Sequence, residues 1–363
     1  MTMTESAVYT PQLAGKKVLL TGGTGFVGRH LLPQLLEAGA QVTCLTRAVS
    51  RTGHLPAGVE TVQADLSTGQ GLAEALHGKD VVIHMAALLF GLGWQDYLRA
   101  NALAARSMAS AITILAREEK LGADFRFVLV SSLAATGPSG TAPGVGDATP
   151  PAPVSAYGWS KMLTEQVLGR ALGQSLVTLR PPIIYGSGDK GLLPVFQGVK
   201  RAHVAVSPGA GREFPVSAVH ADDMAQAVLC ACKPEASGVY HLSDGEAYTM
   251  SGFCRVMGAA VDKALGRAPR SVRIVRMPLP VMACTAGLST AFAVAADAVS
   301  RRLLGRGLRR APAWNLDKYR EARQVGWLCD NSRICRELGF APRVSLEAGM
   351  TEAIDGYRRE GWL

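Results

Sequence analysis

Tyr157 and Lys161 stand four residues apart in a segment whose spacing predicts a helix opening near Ala156. At that spacing two side chains share one helical face. A lysine ammonium beside a phenol stabilises phenolate and brings the tyrosine pKa down from about 10 towards working pH. Ser131 and Ser132 close the preceding apolar run at 125–130. A hydroxyl from Ser132 could hold the substrate oxygen for proton transfer, with Ser131 as the alternate. The chemistry that fits is proton transfer at a carbonyl or alcohol oxygen while hydride moves at the carbon, and hydride calls for a nicotinamide. A Tyr-x-x-x-Lys pair also occurs on surface helices, where it contributes a few tenths of a kcal/mol. Order and context favour the chemical use.

That context begins at residues 17–28. Val18, Leu19 and Leu20 form a short apolar run, Thr21 to Gly25 a tight turn, and from Phe26 the spacing turns helical, with Val27, Leu31, Leu35 and Leu36 apolar. Gly22, Gly25 and Gly28 allow the turn and a close approach of backbone to pyrophosphate, and the helix start supplies free N–H donors. A plain glycine-rich strand-to-helix turn is the bland alternative. Further strands are expected at 41–45, 59–62, 80–85, 125–130 and 176–179. Helices are expected at 72–76, 94–119 and after 156, giving an α/β, Rossmann-like doubly wound parallel sheet.

Where the second strand ends, an acid would grip the ribose 2′-OH and favour NAD. Thr46 and Arg47 stand there instead, with Arg51 close by. A guanidinium suits a 2′-phosphate, so NADP (NADPH) is favoured over NAD. Asp65 either accepts from the adenine amino group or caps a helix starting near Ser67. Ala86 and Ala87 leave room for a cofactor, whereas His84, inside an apolar run, reads as a satisfied core histidine. The candidate cofactor contacts are Gly22, Gly25, Phe26, Val27, Gly28, Arg47, Asp65, Leu66, Ala86 and Pro182, together with Tyr157 and Lys161.

The 363-residue chain is 48% hydrophobic and 18% charged, enough apolar matter for a real core. Its net charge of +9 is concentrated in part at Arg301, Arg302, Arg306, Arg309, Arg310, Lys318, Arg320 and Arg323. No aromatic-rich strand or recognition helix accompanies that patch, which argues against a nucleic-acid partner. Seven cysteines without a C-x-x-C pair indicate neither a metal site nor a disulfide framework, and a cytoplasmic location fits. The first fifteen residues are polar, so no signal peptide is expected. The Gly/Pro-rich segment 137–153 reads as a binding lid or a disordered surface loop. Segment 277–296 carries no charge. It reads as a buried helix, a helix seated at an anionic membrane surface through 277–310, or, least well, a spanning one.

As a set, Thr21-Gly22-Gly23-Thr24-Gly25-Phe26-Val27-Gly28, His84-Met85-Ala86-Ala87, Val130-Ser131-Ser132, Tyr157-Gly158-Trp159-Ser160-Lys161, Leu179-Arg180-Pro181-Pro182-Ile183-Ile184-Tyr185-Gly186 and Val219-His220-Ala221-Asp222-Asp223 resemble the extended short-chain dehydrogenases/reductases of the NAD(P)-dependent epimerase/dehydratase superfamily. The segment around 329–340 resembles that family's close. Arg180-Pro181-Pro182 and the 277–296 helix resemble the 3β-hydroxysteroid dehydrogenase/dihydroflavonol reductase branch more than the nucleotide-sugar epimerases. Thr46-Arg47 departs from the steroid enzymes' acid.

The resemblance implies a Ser132/Tyr157/Lys161 triad assisted by Asn101, no metal, and a homodimer formed by a helix pair. It implies a dinucleotide-binding domain over 1–180, with 216–243 and 325–345 packing back on it. A smaller, mostly helical C-terminal substrate lobe takes 181–320. The leading expectation is hydride transfer on an apolar alcohol or ketone of steroid, polyketide or flavonoid type. A sugar-nucleotide epimerase/dehydratase with tightly held NAD, and a non-catalytic nucleotide-binding subunit, are the alternatives.

Overall fold

Short apolar runs alternating with helical spacing can be buried on both faces only when helices cover both, and this chain folds that way. The computed structural model describes residues 13–363 apart from 48, 49, 51, 210, 211, 306 and 308–310. The first strands are β1 (Lys17–Thr21), β2 (Gln41–Thr46), β3 (Glu60–Gln63), β4 (Val81–His84), β5 (Arg126–Val130) and β6 (Leu176–Arg180). Then come β7 (Ile183–Tyr185), β8 (Val204–Pro208), β9 (Pro215–Val216), β10 (Ala218–His220), β11 (Gly238–His241), β12 (Tyr248–Thr249) and β13 (Arg273–Met277). The helices up to the sixth strand are α1 (Phe26–Glu37), α2 (Leu72–Leu76), α3 (Trp94–Tyr97), α4 (Ala104–Arg117), α5 (Leu133–Thr136) and α6 (Ala156–Leu172). Those beyond it are α7 (Leu193–Ala202), α8 (Ala221–Ala231), α9 (Met250–Ala264), α10 (Leu279–Leu304), α11 (Leu316–Ala322), α12 (Ser332–Leu338) and α13 (Leu346–Arg359).

The main sheet is parallel and runs β11-β6-β5-β4-β1-β2-β3. Strand order reverses between β1 and β4, where a doubly wound sheet opens a crevice at its strand ends. The glycine turn after β1 sits at that crevice. Leu31, Leu35, Val228 and Leu229 of α1 and α8 bury one face with Val18 and Leu20. Leu76, Met108, Ile112 and Leu168 of α2, α4 and α6 bury the other with Leu19 and Phe127. A separate core joins Phe196, Phe253, Met257, Tyr185 and Tyr357, so α7, α9 and α13 form the second lobe around the short parallel pair β8 and β13.

Three segments differ from the sequence reading. The helix expected over 94–119 is broken by a π turn at Leu98–Leu103, which carries Asn101. Segment 137–153 is neither a free lid nor a loose loop. Ser139 N donates to Gly326 O (3.1 Å) and Val145 N to Leu328 O (3.0 Å), so a strand from the far end of the chain staples it. Gly144 makes the approach feasible: its φ is +99°, and a Cβ there would lie 2.3 Å from the Leu328 carbonyl carbon. Finally, 277–296 is not a buried helix. α10 tucks in only small or flexible side chains, Met282, Ala286 and Ala293, while Leu288 (73% exposed) and Phe292 (78%) face outward.

Candidate active site

The glycine turn has the geometry a pyrophosphate needs. Gly22 sits at φ +80°, and a Cβ on it would come 2.9 Å from the Ala86 nitrogen. A Cβ on Gly28 would strike Gly23 O at 2.3 Å, so only glycine lets α1 pack this close to its turn. Gly25 precedes α1, whose first turn holds no acidic side chain and has no side-chain cap. The N–H groups of Phe26 and Val27, with the positive end of the helix dipole, are left for an anion. The residues present therefore fit a dinucleotide.

Around this cradle, Thr21 Oγ1 accepts from Ala86 N (3.2 Å) and pairs with His84 Nδ1 (2.7 Å). Burial, with the nearby Lys161, drives the His84 pKa down to about 3, so it is a neutral core residue. Arg47 is exposed just beyond β2. Arg51 lies outside the described residues. Asp65 caps no helix: it accepts from Ser67 N (2.7 Å) and Ser67 Oγ (2.6 Å), while α2 starts only at Leu72. Those hydrogen bonds, with the Arg47 charge, hold its carboxyl below the usual range. Leu66, Ala86 and Pro182 are half-buried.

Ser132, Tyr157 and Lys161 are brought together at the ends of β5 and α6. The two serines separate cleanly. Ser132 faces the Tyr157 phenol and favours its ionised form, while its Oγ accepts from Ala134 N (3.2 Å). Ser131 Oγ turns inward to Glu165 instead. Burial raises the pKa of Tyr157, and the neighbouring Ser132 partly offsets that. Lys161 is buried and donates to Val130 O (2.7 Å). Burial lowers its pKa to about 8, against the pull of Glu165. Asn101 is a bracket: Oδ1 accepts from Leu88 N (2.8 Å), and Nδ2 donates to Ser160 Oγ (2.8 Å) on the helix that carries Tyr157.

Beneath the triad runs a buried polar chain that motif reading did not find. Arg180 donates to Glu165 through Nε (3.0 Å) and Nη2 (2.6 Å), and to Thr136 Oγ1 through Nη1 (3.0 Å). Thr136 pairs with His241 (2.7 Å), and His241 with Asp147 (2.7 Å). Sequence reasoning also missed Asp317, Lys318 and Glu321, which α11 carries to the start of α6. Asn315, whose Oδ1 accepts from Lys318 N (3.0 Å), was the sole local sign, and it marks only a helix start. A cleft of about 330 Å³ opens between the 88–100 segment and the end of α10, lined by Leu88, Phe90 and Leu92 together with the charged Asp96, Arg99 and Arg301; none of the triad residues lines it.

A Rossmann sheet with a glycine cradle at its switch point and a Tyr/Lys pair beyond the fifth strand defines a nucleotide-dependent dehydrogenase class. The model of the NAD dependent epimerase/dehydratase family matches residues 18–243, and the chain belongs to that family. It is 33% identical over 353 residues to a ceramide reductase of Caulobacter vibrioides, covering 95% of this chain and 96% of that one. It is 28% identical to a 3-beta-hydroxysteroid dehydrogenase of Mycolicibacterium neoaurum over 71% of this chain and 74% of that one. Among solved structures, the Bordetella bronchiseptica enzyme WbmG in complex with NAD superposes with a TM-score of 0.69 at 18% identity, covering 98% of this chain and 97% of that one. That similarity is one of fold.

Proposed function

We propose that this protein is an NADPH-dependent reductase of a ketone on an apolar, lipid-like molecule, working reversibly as an alcohol dehydrogenase. The placing of Ser132 at the Tyr157 phenol, with Lys161 buried one turn further along α6, carries the reading. A nicotinamide held there would supply the hydride for the carbonyl carbon. Tyr157 gives its proton to the oxygen as the C=O π bond breaks, and solvent later returns that proton. Ser132 holds the oxygen in place. The Lys161 ammonium stabilises the phenolate that remains. Asn101 keeps the π turn and α6 in register. Gly22, Gly25, Phe26, Val27 and Gly28 cradle the pyrophosphate, and Ala86 and Pro182 line the path towards the nicotinamide. Arg47 reads the 2′-phosphate beside Asp65 and Leu66 at the adenosine end.

The apolar substrate is supported by the ceramide reductase and steroid dehydrogenase relatives. We assign 181–320 to its recognition. The same reading places the enzyme in the cytoplasm, held peripherally at an anionic membrane surface by α10. On that helix Val281, Leu288, Phe292, Val299 and Leu303 are exposed along one stripe, which ends beside the exposed Arg301 and Arg302. The opposite face is tied down: Ser289 Oγ donates to Trp314 O (2.7 Å) and Leu316 N to Thr290 Oγ1 (2.9 Å). A helix fixed along its length to the protein lies on a bilayer rather than crossing it.

The test pairs fluorescence titration with turnover. NADPH is expected to bind more tightly than NADH and to exchange freely. Tyr157→Phe should keep that binding and lose about 10²–10⁴-fold in ketone reduction. Full activity in Tyr157→Phe would remove the triad assignment. NAD that co-purifies and resists exchange would move the protein to the epimerase/dehydratase reading.

A further inference from the structure

The first N–H groups of any helix lack intrahelical acceptors. At the start of α6, which carries Tyr157, two of them are met from far along the chain. The Asp317 carboxylate accepts from Ala156 N (2.6 Å) and Tyr157 N (3.2 Å). Ser155, the N-cap, accepts from Gly158 N (3.0 Å) and donates to Glu321 Oε1 (2.7 Å). α11 is thus docked on the catalytic helix at its first turn, which fixes the side chain between those two acids. That side chain is Lys318. Its Nζ lies 4.6 Å from the centroid of the Tyr157 ring, 5.6 Å from that of Phe90, and 2.9 Å from Glu321 Oε2.

We propose that Lys318 is a second cation of the proton-transfer site, held over the Tyr157 ring by α11 and acting with Lys161 to favour the phenolate. The inference rests on Tyr157 being the acid and base. Lys318 acts through Tyr157, so it is a positioning residue, and Asp317 is the anchor that places it. A cation over an aromatic face is attracted by the neutral ring and far more by a phenolate. The groups around Tyr157 are Ser132 beyond β5, Tyr97 of α3, and Asp317, Lys318 and Glu321 of α11, with Lys161 one turn along the same face of its own helix. Burial opposes ionisation of the phenol most, the Glu321 charge adds to it, and Lys318 pairs with that charge. Removing Lys318 deletes the favourable charge and leaves the unfavourable one unpaired.

The experiment is the pH titration of Tyr157 in full-length enzyme loaded with NADP⁺, followed by the ¹³Cζ resonance of labelled tyrosine and assigned by its loss in Tyr157→Phe. Lys318→Met should raise the midpoint by about one pH unit or more, while Lys318→Arg stays near wild type. Asp317→Ala should raise it partway and speed amide exchange at Tyr157. Cofactor affinity, measured alongside, should not change in the Lys318 variants. A Lys318→Met midpoint equal to that of wild type overturns the proposal, as does a wild-type phenol that stays protonated to pH 12. Failure of the underlying reading shows elsewhere, as undiminished turnover in Tyr157→Phe, whatever the titration does.

Discussion

Lys161 is an ammonium held where an ammonium is disfavoured. Its folded-state pKa of about 8 lies below the ordinary 10.5. Between those values the unfolded chain binds more protons than the folded one, so this group makes stability rise with pH from about 8 to about 10.5. Below pH 8 its full cost is present. Lys161→Met should therefore be inactive yet more stable at pH 7, by on the order of 2 kcal/mol, with the gain fading as pH approaches 10.5. Urea titrations at pH 7 and pH 10 check this; a variant less stable at pH 7 would show that the hydrogen bond to Val130 outweighs desolvation. At this scale the sequence told a good deal. Gly22, Gly28, Tyr157 and Lys161 announce themselves by spacing, because the demands on them are local. Ser132 was expected from the family motif with Ser131 as the alternate; spacing by itself does not choose between them, since neighbouring residues on an extended strand end point opposite ways. Only the buried Glu165 shows that Ser131 is the one turned inward.

Among the elements, β6 and α6 are locked by the Arg180–Glu165 pair, whose side chains are 5% and 9% exposed. Two charges so deeply buried are tolerable only together. Arg180→Met should cost about 3–5 kcal/mol by leaving Glu165 alone, whereas the double variant with Glu165→Met should recover most of it. Chemical denaturation of the single and double variants decides; equal losses in both would mean that the chain to Thr136 and His241, not the ion pair, carries the stability. Most strands of the main sheet were readable because they are short apolar runs with a breaker at the end; the edge strand β3, Glu-Thr-Val-Gln, is not one. The π turn at Asn101 was not, because its extra residue is imposed by the bonds to Leu88 and Ser160 rather than by local propensity. Segment 137–153 looked free for the same reason: its partners, Gly326 and Leu328, lie far along the chain.

For the molecule as a whole, the unusual feature is a helix turned inside out. An alanine-rich helix shows little contrast between its faces, so the sequence could not say which one α10 would bury. The structure buries the smaller side chains and leaves the larger ones outside. Wild-type protein should sediment with vesicles of phosphatidylcholine and phosphatidylglycerol, and less so as salt rises. Phe292→Glu should abolish the association. Arg302→Gln should weaken it about fivefold, in keeping with roughly 1 kcal/mol per surface arginine. Equal sedimentation of Phe292→Glu would refute a lipid seat. Conversion of a wild-type dimer to a monomer by that variant would refute it too, and would make the stripe a contact between two copies.

The carboxylate that caps α6 lies 161 positions beyond the first N–H it satisfies. A ribosome adding about 5–20 residues per second needs roughly ten to thirty seconds to cover that distance. At the start of that interval the nascent chain already holds the glycine turn and five of the seven sheet strands, and by its end all seven, but not yet the group that anchors the helix carrying Tyr157. Chains cut short before Asp317 should then be able to take up nucleotide without turning it over. On the function proposed above, assembly of the proton site becomes a late event in synthesis, completed by a residue of the C-terminal half.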